Sequence, residues 1–124
     1  MCFGVFDNLH LGHLSYLKQA KKYGDQLIVV VARDKNVLKT KGRLPRQKEN
    51  IRQGAVNNTA LSQKVVLGQL RDKFKVVVKY KPDIVCLGYD QVVDMDKLRQ
   101  VFIGEIIKLK SHKPDIYKSS KLAS

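Results

Sequence analysis

Gly4-Val5-Phe6-Asp7-Asn8-Leu9-His10-Leu11-Gly12-His13 sets two histidines around a glycine, after the short apolar run Met1–Val5 and before a helical pattern. A strand that passes through a tight glycine-containing turn into a helix start is an anion site on physical grounds. Backbone N–H groups point outward there, and the helix dipole favours negative charge. His10 and His13 are three apart across the turn, so both imidazoles can face one phosphate. Gly4 and Gly12 permit close backbone approach to a ligand. Phe6 is expected to pack under that ligand. Asp7 has two readings: it helps hold a hard cation such as Mg²⁺, or it accepts turn N–H groups.

Working outward, the chain alternates strand and helix patterns. Leu14, Leu17, Ala20 and Tyr23 recur at helical spacing, and Gly24 ends that helix. Leu27–Ala32 is a continuous β-branched run, as expected of a strand buried on both faces. Lys39–Pro45 reads as a basic loop, and a helix is expected from about Gln47, through Ile51, Val56 and Leu61. Asn57-Asn58-Thr59 is expected to interrupt that helix. Val65–Leu67, Ile84–Leu87 and Ile106–Leu109 read as strands and Met95–Val101 as a helix. The Val-rich run Phe74–Tyr80 has strand composition but a helix position before Pro82, and is assigned as helix. Ser119 is expected to cap a short last helix. This pattern predicts one domain spanning residues 1–124: an α/β, Rossmann-like, doubly wound parallel sheet of five strands with helices on both faces. Such sheets bind ligands beyond the carboxyl ends of their strands. Phe6–His13, Arg33–Asp34 and Gly88–Gln91 all fall at that edge.

Formal net charge is +13. That bias fits nucleic acid, anionic small substrates, or a lysine-rich solvated face. The basic residues are scattered along amphipathic segments without interleaved aromatics, which favours a solvated surface with a phosphate funnel over nucleic-acid binding. No apolar run approaches the ~20 residues of a membrane span, and no basic and apolar leader is evident. Cys2 and Cys86 lie in apolar runs without metal-ligand spacing. They are read as reduced buried thiols and, with the missing leader, imply a cytoplasmic setting.

The opening stretch resembles the G-x-F-D and H-x-G-H signature of the cytidylyltransferase-like nucleotidyltransferases. Val31-Ala32-Arg33-Asp34, Lys39-Thr40-Lys41-Gly42-Arg43, Leu87-Gly88-Tyr89-Asp90-Gln91 and Ser119-Ser120-Lys121-Leu122 follow in the family's order and spacing. Within the family the chain is most similar to small archaeal-type FAD synthases, and next to glycerol-3-phosphate cytidylyltransferases. Departures are the short first strand and Ser62-Gln63, where the family tends to carry Val-Asp.

The resemblance implies that His10 and His13 contact a nucleoside triphosphate and stabilise the transition state of nucleotidyl transfer. It places a catalytic lysine at Lys41, with Lys39 close behind, on the pyrophosphate side. Gly4, Val5, Phe6, Asp7, Leu11 and Gly12, with Gly88, Asp90 and Gln91, would line the nucleotide. Ser119 and Ser120 would meet phosphate, and His112 the base. Glu49 and Arg52 look like the family's E-x-x-R pair. Arg52 would hold the acceptor phosphate, or else form a surface ion pair with Glu49. The implied cofactor is Mg²⁺ or another divalent cation, held mainly by substrate phosphates. The implied partners are a nucleoside triphosphate and a phosphorylated small molecule, with no membrane, and a homodimer stays open. The favoured reaction is adenylyl transfer from ATP to FMN with release of pyrophosphate. The alternatives are cytidylyl transfer from CTP to glycerol 3-phosphate or a similar phosphomonoester, and a non-catalytic nucleotide- or nucleic-acid-binding protein.

Overall fold

The computed structural model describes residues 1–72, 74–88, 91 and 93–110. The elements run β1 (Cys2–Gly4), α1 (Leu11–Lys21), β2 (Ile28–Val31), α2 (Asp34–Lys41), α3 (Glu49–Asn58), β3 (Lys64–Leu67), α4 (Lys75–Tyr80), β4 (Ile84–Leu87), α5 (Met95–Val101) and β5 (Glu105–Lys108). The five strands form one sheet in the order β3-β2-β1-β4-β5, and every pairing is parallel. The winding reverses between β1 and β4, so the switch point lies there.

The β-branched run of β2 explains the two-sided core. Val29 and Val31 face one side with Leu17 and Ala20 of α1 and Val56 of α3. Val30 faces the other side with Val76 and Val77 of α4 and Leu98 of α5. Period-2 alternation of apolar residues on both faces requires helices above and below the sheet. The doubly wound architecture expected from the strand and helix pattern is the one found.

Several local expectations change. Lys39-Thr40-Lys41 is the last turn of α2, not part of a loop. Val37 is the only buried residue of that helix, so it shows no apolar stripe to read. Its anchors are polar: Asn36 Nδ2 donates to Gln69 O at 2.8 Å, and Gly42 ends it in the left-handed region at φ 77°. α3 ends at Asn58 with Thr59 as its C-cap, so the helix stops within Asn57-Asn58-Thr59, where the break was expected, and does not reach Leu61. In α1 the inward stripe is Leu17 and Ala20 with Tyr16, whereas Tyr23 lies beyond the helix and is 46% exposed. The Val-rich segment before Pro82 is the helix α4, stopped by Lys81 at φ 49°. The helix expected at Ser119 lies outside the described residues.

Cys2 and Cys86 are register partners across β1 and β4, and both are buried free thiols. Burial pushes the Cys2 thiol up to about 12 and also raises that of Cys86. Both are therefore protonated core residues, not nucleophiles.

Candidate functional site

At the carboxyl edge β1 and β4 part company. Three residues of β1 pair with β2, but only Cys2 pairs with β4 in strand register. The Tyr16 hydroxyl fills the gap: it donates to Phe3 O at 2.9 Å, receives Phe3 N–H at 3.3 Å, and lies 3.3 Å from Cys86 O. Gln91 bridges the same opening. Its Oε1 accepts Gly88 N–H at 3.0 Å, and its Nε2 reaches Phe3 O at 3.4 Å. The two side chains supply the hydrogen bonds that a continued ladder would make. Tyr16 escaped the sequence reading because an aromatic residue on an amphipathic helix reads as core packing.

The turn from β1 into α1 is tightly held. Phe6 adopts φ 55° and Asn8 φ 47°, left-handed values that are costly for a bulky residue such as Phe. Phe6 is buried at 2% exposure. Its ring stacks on Tyr16 with centroids 6.0 Å apart and meets His13 edge-on at 5.6 Å. It thus forms the floor beneath His13. Gly4 is required by this packing: a Cβ there would sit 2.8 Å from the Phe6 ring. Gly4 therefore lies in close contact with the Phe6 ring.

His10 is the N-cap of α1. Its Nδ1 accepts Gly12 N–H at 3.0 Å, while His13 Nδ1 accepts His10 N–H at 3.2 Å. The two rings stack with centroids 3.9 Å apart and an interplanar angle of 24°. Because both Nδ1 atoms accept, a neutral imidazole at either position carries its proton on Nε2. Partial burial, helped by the neighbouring His10, pushes His13 down to about 4, against an opposing pull from Asp7. His13 is therefore a neutral donor at pH 7. No acidic residue lies in the first turn of α1, so none within the helix offsets its positive end. Leu11, between the histidines, is 68% exposed. The arrangement offers two preorganised N–H donors beside a helix N-terminus, which suits a phosphate that gains charge during reaction.

Of the two readings of Asp7, the structure supports the turn acceptor. Its Oδ2 takes Arg46 N–H at 2.8 Å and its Oδ1 takes Gln47 N–H at 3.0 Å. Burial pushes the carboxyl up, but those two N–H groups and the charges of Arg52 and Arg46 outweigh it and hold it below its usual value. Gln47 returns the contact, its Oε1 accepting Asn8 N–H at 3.1 Å. The basic connection between α2 and α3 is thereby fastened to the histidine turn. Neither Arg46 nor Gln47 belongs to a sequence pattern that would have marked it.

Arg52 overturns both readings made of it. It is fully buried, so it neither lies on the surface nor reaches an acceptor phosphate. Nε donates to Gln47 O at 3.0 Å, Nη1 to Val5 O at 2.8 Å, and Nη2 pairs with Asp34. Glu49 pairs instead with Arg33 at 2.8 Å and also accepts Asp34 N–H at 2.9 Å. Arg33, Asp34, Glu49 and Arg52 thus form one network tying the end of β2 and the start of α3 to the backbone of Val5. A spacing of three suggested a pair along one helix. The tertiary fold gives each member a partner on another element.

Lys39 and Lys41 are exposed at the end of α2, and Gly88 follows β4. Asp90, His112, Ser119 and Ser120 lie outside the described residues. Among the described residues no group of three or more His, Cys, Asp or Glu side chains is arranged to hold a metal ion. No described helix is long and apolar enough to cross a membrane.

Comparison with known proteins shows the family and the fold. The profile of the family described as "Cytidylyltransferase-like" matches residues 1–122. The chain is 46% identical over 99 residues to a FAD synthase of Thermoplasma volcanium, covering 80% of this chain and 69% of that protein. It is 38% identical over 126 aligned positions to a FAD synthase of Thermococcus sibiricus, covering 96% and 85%. Among solved structures, the lipopolysaccharide core biosynthesis protein from Thermoplasma volcanium superposes with a TM-score of 0.83 at 39% identity, covering 91% of this chain and 96% of that one. A parallel sheet open at its switch point, a histidine-capped helix there, and a profile match over nearly the whole chain place this protein in the cytidylyltransferase-like family.

Proposed function

We infer that the protein is a nucleotidyltransferase that transfers AMP from ATP to FMN, forming FAD and releasing pyrophosphate. The observation that carries this reading is the stacked His10–His13 pair at the open carboxyl edge, with both Nδ1 atoms turned inward, in a chain similar over most of its length to FAD synthases. An oxygen of the FMN phosphate attacks the α-phosphorus of ATP. The new P–O bond forms as the bond to the β-phosphate oxygen breaks, and pyrophosphate leaves with that electron pair. Such a step needs positioning and charge stabilisation more than covalent help.

His10 and His13 donate Nε2–H to phosphate oxygens on which charge develops. Lys39 and Lys41 neutralise the departing pyrophosphate. The turn residues Gly4 to Asp7, with Leu11, Gly12, Gly88 and Gln91, form the walls for the nucleotide. Asp90, Ser119, Ser120 and His112 are assigned to the nucleotide from their place in the sequence. Both Asp7 oxygens are already engaged and no acidic cluster is present among the described residues. A divalent cation such as Mg²⁺ therefore fits as an ion held mainly by substrate phosphates, where it would neutralise triphosphate charge. The chain acts as a single nucleotidyltransferase domain.

The test is an assay of all pairings of ATP or CTP with FMN or glycerol 3-phosphate in the presence of Mg²⁺, reading pyrophosphate and the product by chromatography. FAD from ATP and FMN, well above every other pairing, is the expected result. CMP transfer to glycerol 3-phosphate alone would replace this reading, and no pyrophosphate from any pairing would remove it.

A further inference from the structure

With Arg52 committed to the interior, the guanidinium left beside the histidine turn is that of Arg46. Its backbone is not free to wander. Arg46 N–H and Gln47 N–H occupy the two Asp7 oxygens, Gln47 Oε1 holds Asn8 N–H, and Gln47 O receives Arg52 Nε at 3.0 Å. Arg52 in turn holds Val5 O. The position of Arg46 is therefore fixed relative to Val5–Asn8, two residues ahead of the His10 cap. The Arg46 side chain is exposed. The ion pairs among the described residues are Arg33–Glu49 and Arg52–Asp34, so no carboxylate there is paired with Arg46. The charge of Arg46 also acts on the Asp7 carboxyl, helping to hold it below its usual value.

We propose that Arg46 binds a phosphate group of the substrates, its guanidinium completing the donor set begun by His10 and His13. The proposal rests on the nucleotidyltransferase reading for which substrates are present. The chemistry is a planar fork of donors meeting a phosphoryl group bidentately. That phosphate belongs either to the triphosphate or to the acceptor. The connection's anchorage fixes the Arg46 backbone to the histidine turn before any ligand arrives, which an arginine on an untethered loop lacks.

Steady-state kinetics and calorimetric binding of ATP and of FMN would be measured for the unmodified protein, Arg46→Gln, Arg46→Lys and the distant control Lys21→Gln. Arg46→Gln keeps the backbone N–H that Asp7 accepts, so its unfolding midpoint should match the parent. Its KM and Kd for one substrate should rise about tenfold or more, the scale of a lost charge-assisted contact. A rise for ATP assigns the contact to the triphosphate, and a rise for FMN assigns it to the acceptor phosphate. Arg46→Lys should recover part of the loss, and Lys21→Gln should lose nothing. Unchanged Kd values for both ligands in Arg46→Gln, or an equal loss in Lys21→Gln, would overturn the proposal. If the parent binds nucleotide but makes no FAD, the assigned reaction fails while the binding comparison still decides the role of Arg46.

Discussion

His10 and His13 close the start of α1 reciprocally: His10 Nδ1 accepts Gly12 N–H in the first turn, His13 Nδ1 accepts the N–H of the cap residue His10, and their rings stack 3.9 Å apart. The same pair of bonds that starts the helix also fixes the protonated nitrogen of both imidazoles. Structural and chemical roles are therefore joined in one motif, and the variants that test the chemistry must separate them.

His10→Asn is the separating variant. Asparagine is a good N-cap, whereas alanine in that position costs about 1 kcal/mol. His10→Asn should therefore keep the unfolding midpoint near the parent and still lose on the order of 10²–10³ in kcat, the usual effect of removing one preorganised donor. His13→Ala should lose turnover similarly, with a smaller change in ATP affinity. Ser15→Ala, in the same helix but bonded only to Gln19, should do little. Full kcat in His13→Ala alongside a loss in Ser15→Ala would place the chemistry elsewhere.

The depressed His13 imidazole has a pH consequence. An unfolded histidine takes up its proton near 6.5, but the folded one does so only near 4. Between those values the unfolded chain binds more protons, so stability falls with falling pH. The contribution is complete above about 6.5 and is progressively lost as pH drops toward about 4. Thermal unfolding from pH 8 to 4 should show this decline, and His13→Asn should flatten it. In an NMR titration the His13 ring should stay neutral through pH 6.

Asp7 fastens the connection between α2 and α3 to the histidine turn. Asp7→Asn replaces one acceptor oxygen with an NH₂ group facing an N–H, which loosens Arg46–Gln47 from the turn. Turnover should fall about tenfold or more, the scale of a lost hydrogen bond to a charged group. The Mg²⁺ concentration giving half-maximal rate should stay within about twofold of the parent. A large rise in that concentration would make Asp7 a direct ligand.

Arg52 carries stability. Arg52→Met removes the charge and the guanidinium donors to Asp34 Oδ1, Val5 O and Gln47 O. Breaking a buried pair from one side costs about 3–5 kcal/mol, and the partial exposure of Asp34 puts this case near the lower end. Denaturant unfolding measures the loss. Arg52→Lys should recover little, since one ammonium cannot span three acceptors on separate elements.

Tyr16→Phe tests the replacement rung between β1 and β4. It removes the hydroxyl that serves Phe3 and Cys86 while leaving the ring over Phe6. Leaving these buried backbone groups short of a partner should cost about 1–2 kcal/mol. Hydrogen exchange at Phe3 should quicken more than at Val29 or Val30 in β2, whose ladder is intact.

The alternation of strands and helices apart from α2, the doubly wound class of the sheet and the histidine turn were legible in the sequence from local patterns, whereas α2, with Val37 its only buried residue, left no stripe to read. β-branched runs mark buried strands, the glycine and histidine spacing marks the turn, and both survive in any fold consistent with them. Even the strand-like composition of Phe74–Tyr80 gave way to position along the chain, and α4 is where position put it. The tertiary structure decided what depends on partners distant in sequence. Arg52 is three residues from Glu49 but bonds to Val5, 47 residues away, and to Asp34, 18 away. Asp7 reaches across to Arg46, and Tyr16 to Phe3 and Cys86. A side chain's donors are the same wherever it lies. Which acceptor uses them, and so whether an arginine meets solvent, substrate or the interior, is settled only when the strands and helices close around it.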